Sequence, residues 1–246
     1  MIIFAFMNEE IDIRFERKRL ILAATIPAII LLICWLIKLF EISSGISLSN
    51  YGVLPRNLHS LFGIILMPLL HGDYAHLAAN SVAFLVLGTG VFYFYRDIAV
   101  KVLLFSWLST GIITWVIGRE SYHIGASGLV YAFAGFIFLS GVLRNHFRLM
   151  AISLLVVFLY GSMIWGIFPI EPNISWEGHL SGLFTGFVLA LIYRSKGPQR
   201  PRYSWEEEDD EDDVNESNNE KGAPSNTSAT HRISPEYDYK PNENKN

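Results

Sequence analysis

A serine, two histidines and an asparagine are the residues of this chain best suited to act together, and each lies at the edge of an apolar run flanked by small residues. Ser127 sits in Gly125-Ala126-Ser127-Gly128 and His179 in Gly178-His179-Leu180-Ser181-Gly182; His76 and Asn80 are four residues apart, on one face of a helix. A serine hydroxyl is a poor nucleophile until a base takes its proton, and neutral histidine suits that task near pH 7. The resulting tetrahedral intermediate needs donors aimed at its oxyanion. Asn80, His76 and the main-chain N–H of Ser127 could supply them. Gly125 and Gly128 let the backbone turn tightly at the serine and expose the N–H groups of a helix start. No buried acid offers itself to orient His179, because Glu177, two residues earlier, is expected in a loop. The expectation is therefore a Ser127–His179 dyad, with Tyr131, one helical turn below Ser127, as a packing partner.

These residues need elements that hold them at one depth. Crossing a bilayer takes about 20 apolar residues, and six runs approach that length: 20–40, 77–95, 98–117, 127–143, 149–168 and 178–193. The run 58–70 is shorter and carries His59 and Pro68, so it reads as an interfacial or re-entrant piece. The first run is too long for a signal peptide, and no small-residue cleavage site follows it. With the N-terminus inside, the inner segments carry most of the Lys and Arg, among them Arg14, Arg17, Lys18, Arg19, Arg96, Lys101, Arg144, Arg148, Arg194 and Lys196. The outer segments carry Arg56 and Arg119, with Lys38 near a helix end. This asymmetry predicts six helices with both termini in the cytoplasm. The helices that begin with His76, Ser127 and His179 then all start at the outer face. Gly128, Ala132 and Gly135 form a small-residue stripe on the fourth span, and Gly182 and Gly186 form one on the sixth. Such stripes let helices approach closely in lipid and would bring Ser127 to His179.

Composition divides the chain of 246 residues, which is 51% apolar and 17% charged. Residues 1–197 hold 13 Lys/Arg and 10 Asp/Glu, whereas 198–246 hold 6 and 13. Expected are a cytoplasmic segment 1–19, a six-helix domain 20–197 and a disordered acidic tail 198–246, because the acidic run Glu206–Asp213 and its polar neighbours cannot bury a core. The missing basic stripe argues against nucleic-acid binding. Cys34 is the single cysteine, so no intrachain disulfide or cysteine metal cluster can form.

The stretch from Pro68 to Ser81, with His71, His76 and Asn80, resembles the second-helix signature of rhomboid proteases. Gly125-Ala126-Ser127-Gly128 resembles their nucleophile motif, and Gly178-His179-Leu180-Ser181-Gly182 with Gly186 their sixth-helix motif. The resemblance covers roughly residues 15–195 and extends to motif order and spacing. It implies an all-α, polytopic six-helix bundle and an intramembrane serine endopeptidase that cleaves transmembrane segments of other membrane proteins. It also implies that His76 and Asn80 line the oxyanion site and that Tyr131 packs on His179. The chain departs from some relatives in lacking an adjacent Trp-Arg pair in the first outer loop, and it has no recognisable soluble domain before the first span.

Other classes explain less. A transporter or proton channel would use the membrane histidines as a relay but not the glycine-flanked serine. A catalytically inactive rhomboid-like protein that binds client helices would be marked by loss of the serine or the histidine, and both are present. A metalloprotease would need a ligand set, and no His-Glu-x-x-His motif exists. The expectation thus includes no cofactor and no metal. Partners are membrane lipids, single-span or other transmembrane protein substrates, and for the tail either a soluble cytoplasmic partner or solvent alone. A bacterial inner membrane is the expected location.

Overall fold

The computed structural model describes residues 13–144, 147–159, 165–171 and 174–198. Among these residues the fold is helical, and the one β-bridge is the isolated antiparallel pair Val53–His123. Helix α1 spans Ile13–Ser44, and the short α2 spans Gly63–Leu66. They are followed by α3 Tyr74–Phe94, α4 Ala99–Ile117, α5 Ser127–Leu143, α6 Phe147–Leu159 and α7 Trp176–Ile192. By length and apolarity α1, α3 and α4 suffice to cross a membrane, and α5 and α7 are shorter apolar helices. Large apolar side chains point outward along the bundle, such as Leu22, Leu32, Leu36, Leu104 and Phe184. Such an exterior is stable only where the solvent is itself apolar.

Two of the expected spans differ from the observed elements. Helix α1 begins seven residues earlier than the apolar run and ends four later, because its polar first and last turns extend beyond the apolar stretch. The run 149–168 is helical in α6 as far as Leu159, residues 160–164 lie outside the described residues, and residues 166–170 are turns and a bend rather than helix. The turning residues include Gly166 and Pro169, types that disfavour a helix interior. Residues 58–70 are no span. They form the turn Leu58–Ser60, α2 and the turn Met67–Leu69. The tail beyond residue 198, like residues 1–12, lies outside the described residues.

Helix α5 is the centre. Leu129, Ala132, Phe133, Phe136 and Ile137 are buried on it, and its packing extends to α3 through the stacked Phe84 and Phe133 rings, 5.6 Å apart. Its closest neighbour is α7. A Cβ on Gly182 would lie 2.0 Å from the Gly128 carbonyl oxygen, and one on Gly186 would lie 2.1 Å from that of Ala132. Both glycines are therefore obligatory for backbone-to-backbone contact. Helix α1 packs on α3, where Pro27 fills the space above Gly88. At the far end of the bundle Arg144, which caps α5, donates to the carbonyls of Ser140, Tyr193 and Lys196. This ties the ends of α5 and α7 together.

Candidate active site

The N-termini of α3, α5 and α7 converge at one end of the bundle around a cavity of about 700 Å³, and His76, Asn80, Ser127, Tyr131, Gly166 and His179 are among the residues that line it. Each helix start is fixed locally. Asp73 caps α3 by accepting the His76 N–H at 2.7 Å, and this bond holds its carboxyl below the usual carboxylate range. Ser175 caps α7 by accepting the Gly178 N–H. Ser127 is the first residue of α5, where a main-chain N–H has no intrahelical acceptor.

Gly125 makes the turn before α5. Its φ is +116°, a conformation that side-chain-bearing residues rarely adopt, and a Cβ there would lie 2.8 Å from the His76 ring and 3.6 Å from Asn80 Nδ2. The glycine thus lets the His76–Asn80 face come up against the turn that carries the serine. Asn80 Nδ2 is buried and has no hydrogen-bond partner among the described residues. It is a donor on a residue that lines the cavity.

Ser127 Oγ and His179 Nε2 are 2.8 Å apart. On the other side of the ring, Nδ1 lies 2.8 Å from the Gly166 carbonyl oxygen. That oxygen can only accept, so Nδ1 carries the proton and Nε2 presents its lone pair to the serine hydroxyl. Tyr131 stacks on the imidazole, with centroids 4.3 Å and planes 14° apart, which removes the ring's freedom to tilt. Gly128 and Gly182 lie at the α5–α7 contact, one and three residues from Ser127 and His179, respectively.

Three features escaped the sequence reading. The group that orients His179 is a main-chain carbonyl, and a carbonyl is invisible in residue types. A helix-breaking glycine inside an apolar run was the available signal. Glu177 is not in a loop: it is buried in the first turn of α7. There it accepts the Arg119 N–H at 3.1 Å and pairs with the Arg119 guanidinium at 3.6 Å. His123 bonds Ser175 Oγ at 2.6 Å and the Arg119 carbonyl at 3.2 Å, and burial holds its imidazole below the usual histidine value. Residues 119–123 and 174–178 are thereby joined above the cavity. No cluster of three or more His, Cys, Asp or Glu suited to a metal ion occurs among the described residues.

Comparison with known proteins agrees with this architecture. The model of the rhomboid domain matches residues 58–196, which takes in all the residues placed around the cavity. Uncharacterized proteins of Mycobacterium tuberculosis and Mycobacterium bovis are each 32% identical over 199 residues, covering 75% of this chain and 80% of the relative. An uncharacterized protein of Mycobacterium leprae is 31% identical over 176 residues, covering 68% of each chain. The match over more than half of the chain, together with apolar helices whose outer faces carry exposed leucines and phenylalanines, places this integral membrane protein in the rhomboid family.

Proposed function

We propose that this protein is an intramembrane serine endopeptidase in which Ser127 is the nucleophile and His179 its general base. The observation that carries the reading is the 2.8 Å contact between Ser127 Oγ and a His179 ring whose tautomer is fixed by the Gly166 carbonyl. In this mechanism Ser127 Oγ attacks the scissile carbonyl carbon while its proton passes to His179 Nε2. The carbonyl oxygen becomes the oxyanion and receives hydrogen bonds from the Ser127 N–H, Asn80 Nδ2 and His76. His179 then gives the proton to the leaving amine, and the C–N bond breaks to leave an ester on Ser127. A water, deprotonated by His179, attacks that ester and returns the serine. The carbonyl and the Tyr131 ring hold the imidazole in place of the carboxylate of a triad.

The substrates on this reading are transmembrane segments of other membrane proteins, single-span proteins first among them. Both termini in the cytoplasm is the orientation that the distribution of Lys and Arg supports, and a bacterial inner membrane is the location proposed with it. The deciding experiment is purification in detergent with a fluorescent single-span substrate, comparing the wild type with Ser127→Ala. Cleavage by the wild type and none by the variant is expected; equal cleavage by the two would overturn the assignment.

A further inference from the structure

We infer that His71 is a positioning residue, one that holds the turn before the nucleophile and the His76 ring in register with each other. The inference rests on the protease reading given above. His71 lies in the connection between the turn Met67–Leu69 and α3 and is only 2% exposed. Its Nε2 accepts the Ala126 N–H at 3.2 Å, and the preceding N–H, that of Gly125, donates to the Met67 carbonyl at 2.8 Å. The two main-chain donors just ahead of Ser127 are therefore both satisfied by residues 67–71. No helix can do this for them, because the first N–H groups of a helix have no partner within it. The His71 ring also meets His76 edge-on, with centroids 5.2 Å apart. His71 thus touches both walls of the space in which an oxyanion would form.

The residue is itself anchored from behind. The His71 and Gly72 carbonyls accept from Lys38 Nζ of α1 at 3.0 and 2.8 Å. Lys38 is buried and pairs with Glu41 at 3.1 Å, and the second carboxylate oxygen of Glu41 accepts the Leu48 N–H at 2.6 Å. A buried charge with three acceptors fixes a segment far more rigidly than a surface contact does. Burial also pushes the His71 imidazole down to about 3, with His76 and Lys38 acting in the same direction. The ring is neutral at physiological pH and keeps its acceptor. Without that acceptor the buried Ala126 N–H would lose its partner. The turn would then rotate toward another partner and carry the Ser127 N–H with it. The surfaces that bind the substrate chain would not change.

The test uses the full-length protein in detergent, a fluorescent single-span substrate and a fluorophosphonate that labels Ser127. His71→Leu should lower kcat by about 10- to 100-fold with KM within about twofold, and labelling should slow in parallel. His71→Gln, whose amide oxygen reaches the place of Nε2, should restore most of both rates. His71→Asn, whose oxygen reaches only the place of Nδ1, should not. Unchanged kcat and labelling in His71→Leu would overturn the inference, as would Gln and Asn variants of equal rate or a change confined to KM. If the Leu variant fails to fold, the comparison of Gln with Asn decides alone. A wild type that neither cleaves nor labels at Ser127 would remove the protease reading and this inference together. A wild type that labels, beside His71 variants that match it, would remove the inference only.

Discussion

At the scale of single residues the arrangement depends on which lone pair faces which proton. The Gly166 carbonyl determines the tautomer of His179, and the tautomer determines that Nε2 is free to take the Ser127 proton. Because the two act as a unit, Ser127→Ala and His179→Ala should each abolish cleavage, and the double variant should be scarcely worse than either alone. Turnover of the fluorescent substrate by the three purified variants checks this. Asn80 has a different role. Its Nδ2 is buried without a partner among the described residues, so on the protease reading its interaction is made only with the developing oxyanion. Asn80→Ala should then lower kcat by about 10²- to 10³-fold while KM changes little. A steady-state comparison showing a KM effect alone would assign Asn80 to binding.

At the scale of elements the dyad depends on how closely α5 and α7 approach. The separation is set by glycine, and the tolerance is smaller than a methyl group: a Cβ at Gly182 would lie 2.0 Å from a main-chain oxygen. Backbone cannot move aside as a flexible side chain can. Gly182→Ala should therefore lower stability by about 1–3 kcal/mol and reduce activity, the effect of overpacking in a well-packed core. Gly72→Ala is the matched control for stability, because a Cβ there meets nothing within 4 Å. Thermal unfolding of the two variants in the same detergent distinguishes them, and equal melting temperatures would contradict the close contact. The loops contribute in the same way: the bonds of Arg119 and His123 to Glu177 and Ser175 determine where α7 begins, and His179 lies four residues after the cap.

At the scale of the whole molecule, two buried histidines outside the spans couple the fold to pH. Burial lowers both His71 and His123, whereas an unfolded histidine titrates near pH 6.5. Above that pH both states are neutral and the stability is fully present. As the pH falls, the unfolded chain takes up protons that the folded chain refuses, and stability is lost down to the folded value, about 3 for His71. The melting temperature in detergent should therefore decline between pH 7 and pH 5, and His71→Gln should flatten part of the decline. The acidic tail belongs to the same scale. On the proposed topology it leaves the bundle on the face away from the dyad, across about 30 Å of hydrocarbon. Deleting residues 203–246 while keeping Arg194, Lys196, Arg200 and Arg202 should leave cleavage in detergent nearly unchanged. An assay of the truncated protein beside the full chain checks this, and loss of activity would show that the tail acts on the site.

What the sequence determined by itself were the properties that depend on composition and spacing. Apolar runs of helical length specify a bundle in lipid, because a backbone without water must bond to itself. The start of α5 at Ser127 and the small-residue stripes were legible because glycine among apolar residues in such a helix signals contact. The turn at residues 166–170 was not legible, since an apolar turn and an apolar helix can have the same hydropathy. Contacts between main-chain groups and distant side chains were not legible either. The Gly166 carbonyl on His179, the Ala126 N–H on His71, and Lys38 across two carbonyls of another segment each join a residue type to a backbone atom that every residue possesses. Only the folded chain decides which of those identical groups comes within 3 Å or so of which side chain. Glu177 shows the same limit: its acidic type and expected place in a loop argued against burial, and the arrival of Arg119 from 58 residues away made its burial affordable.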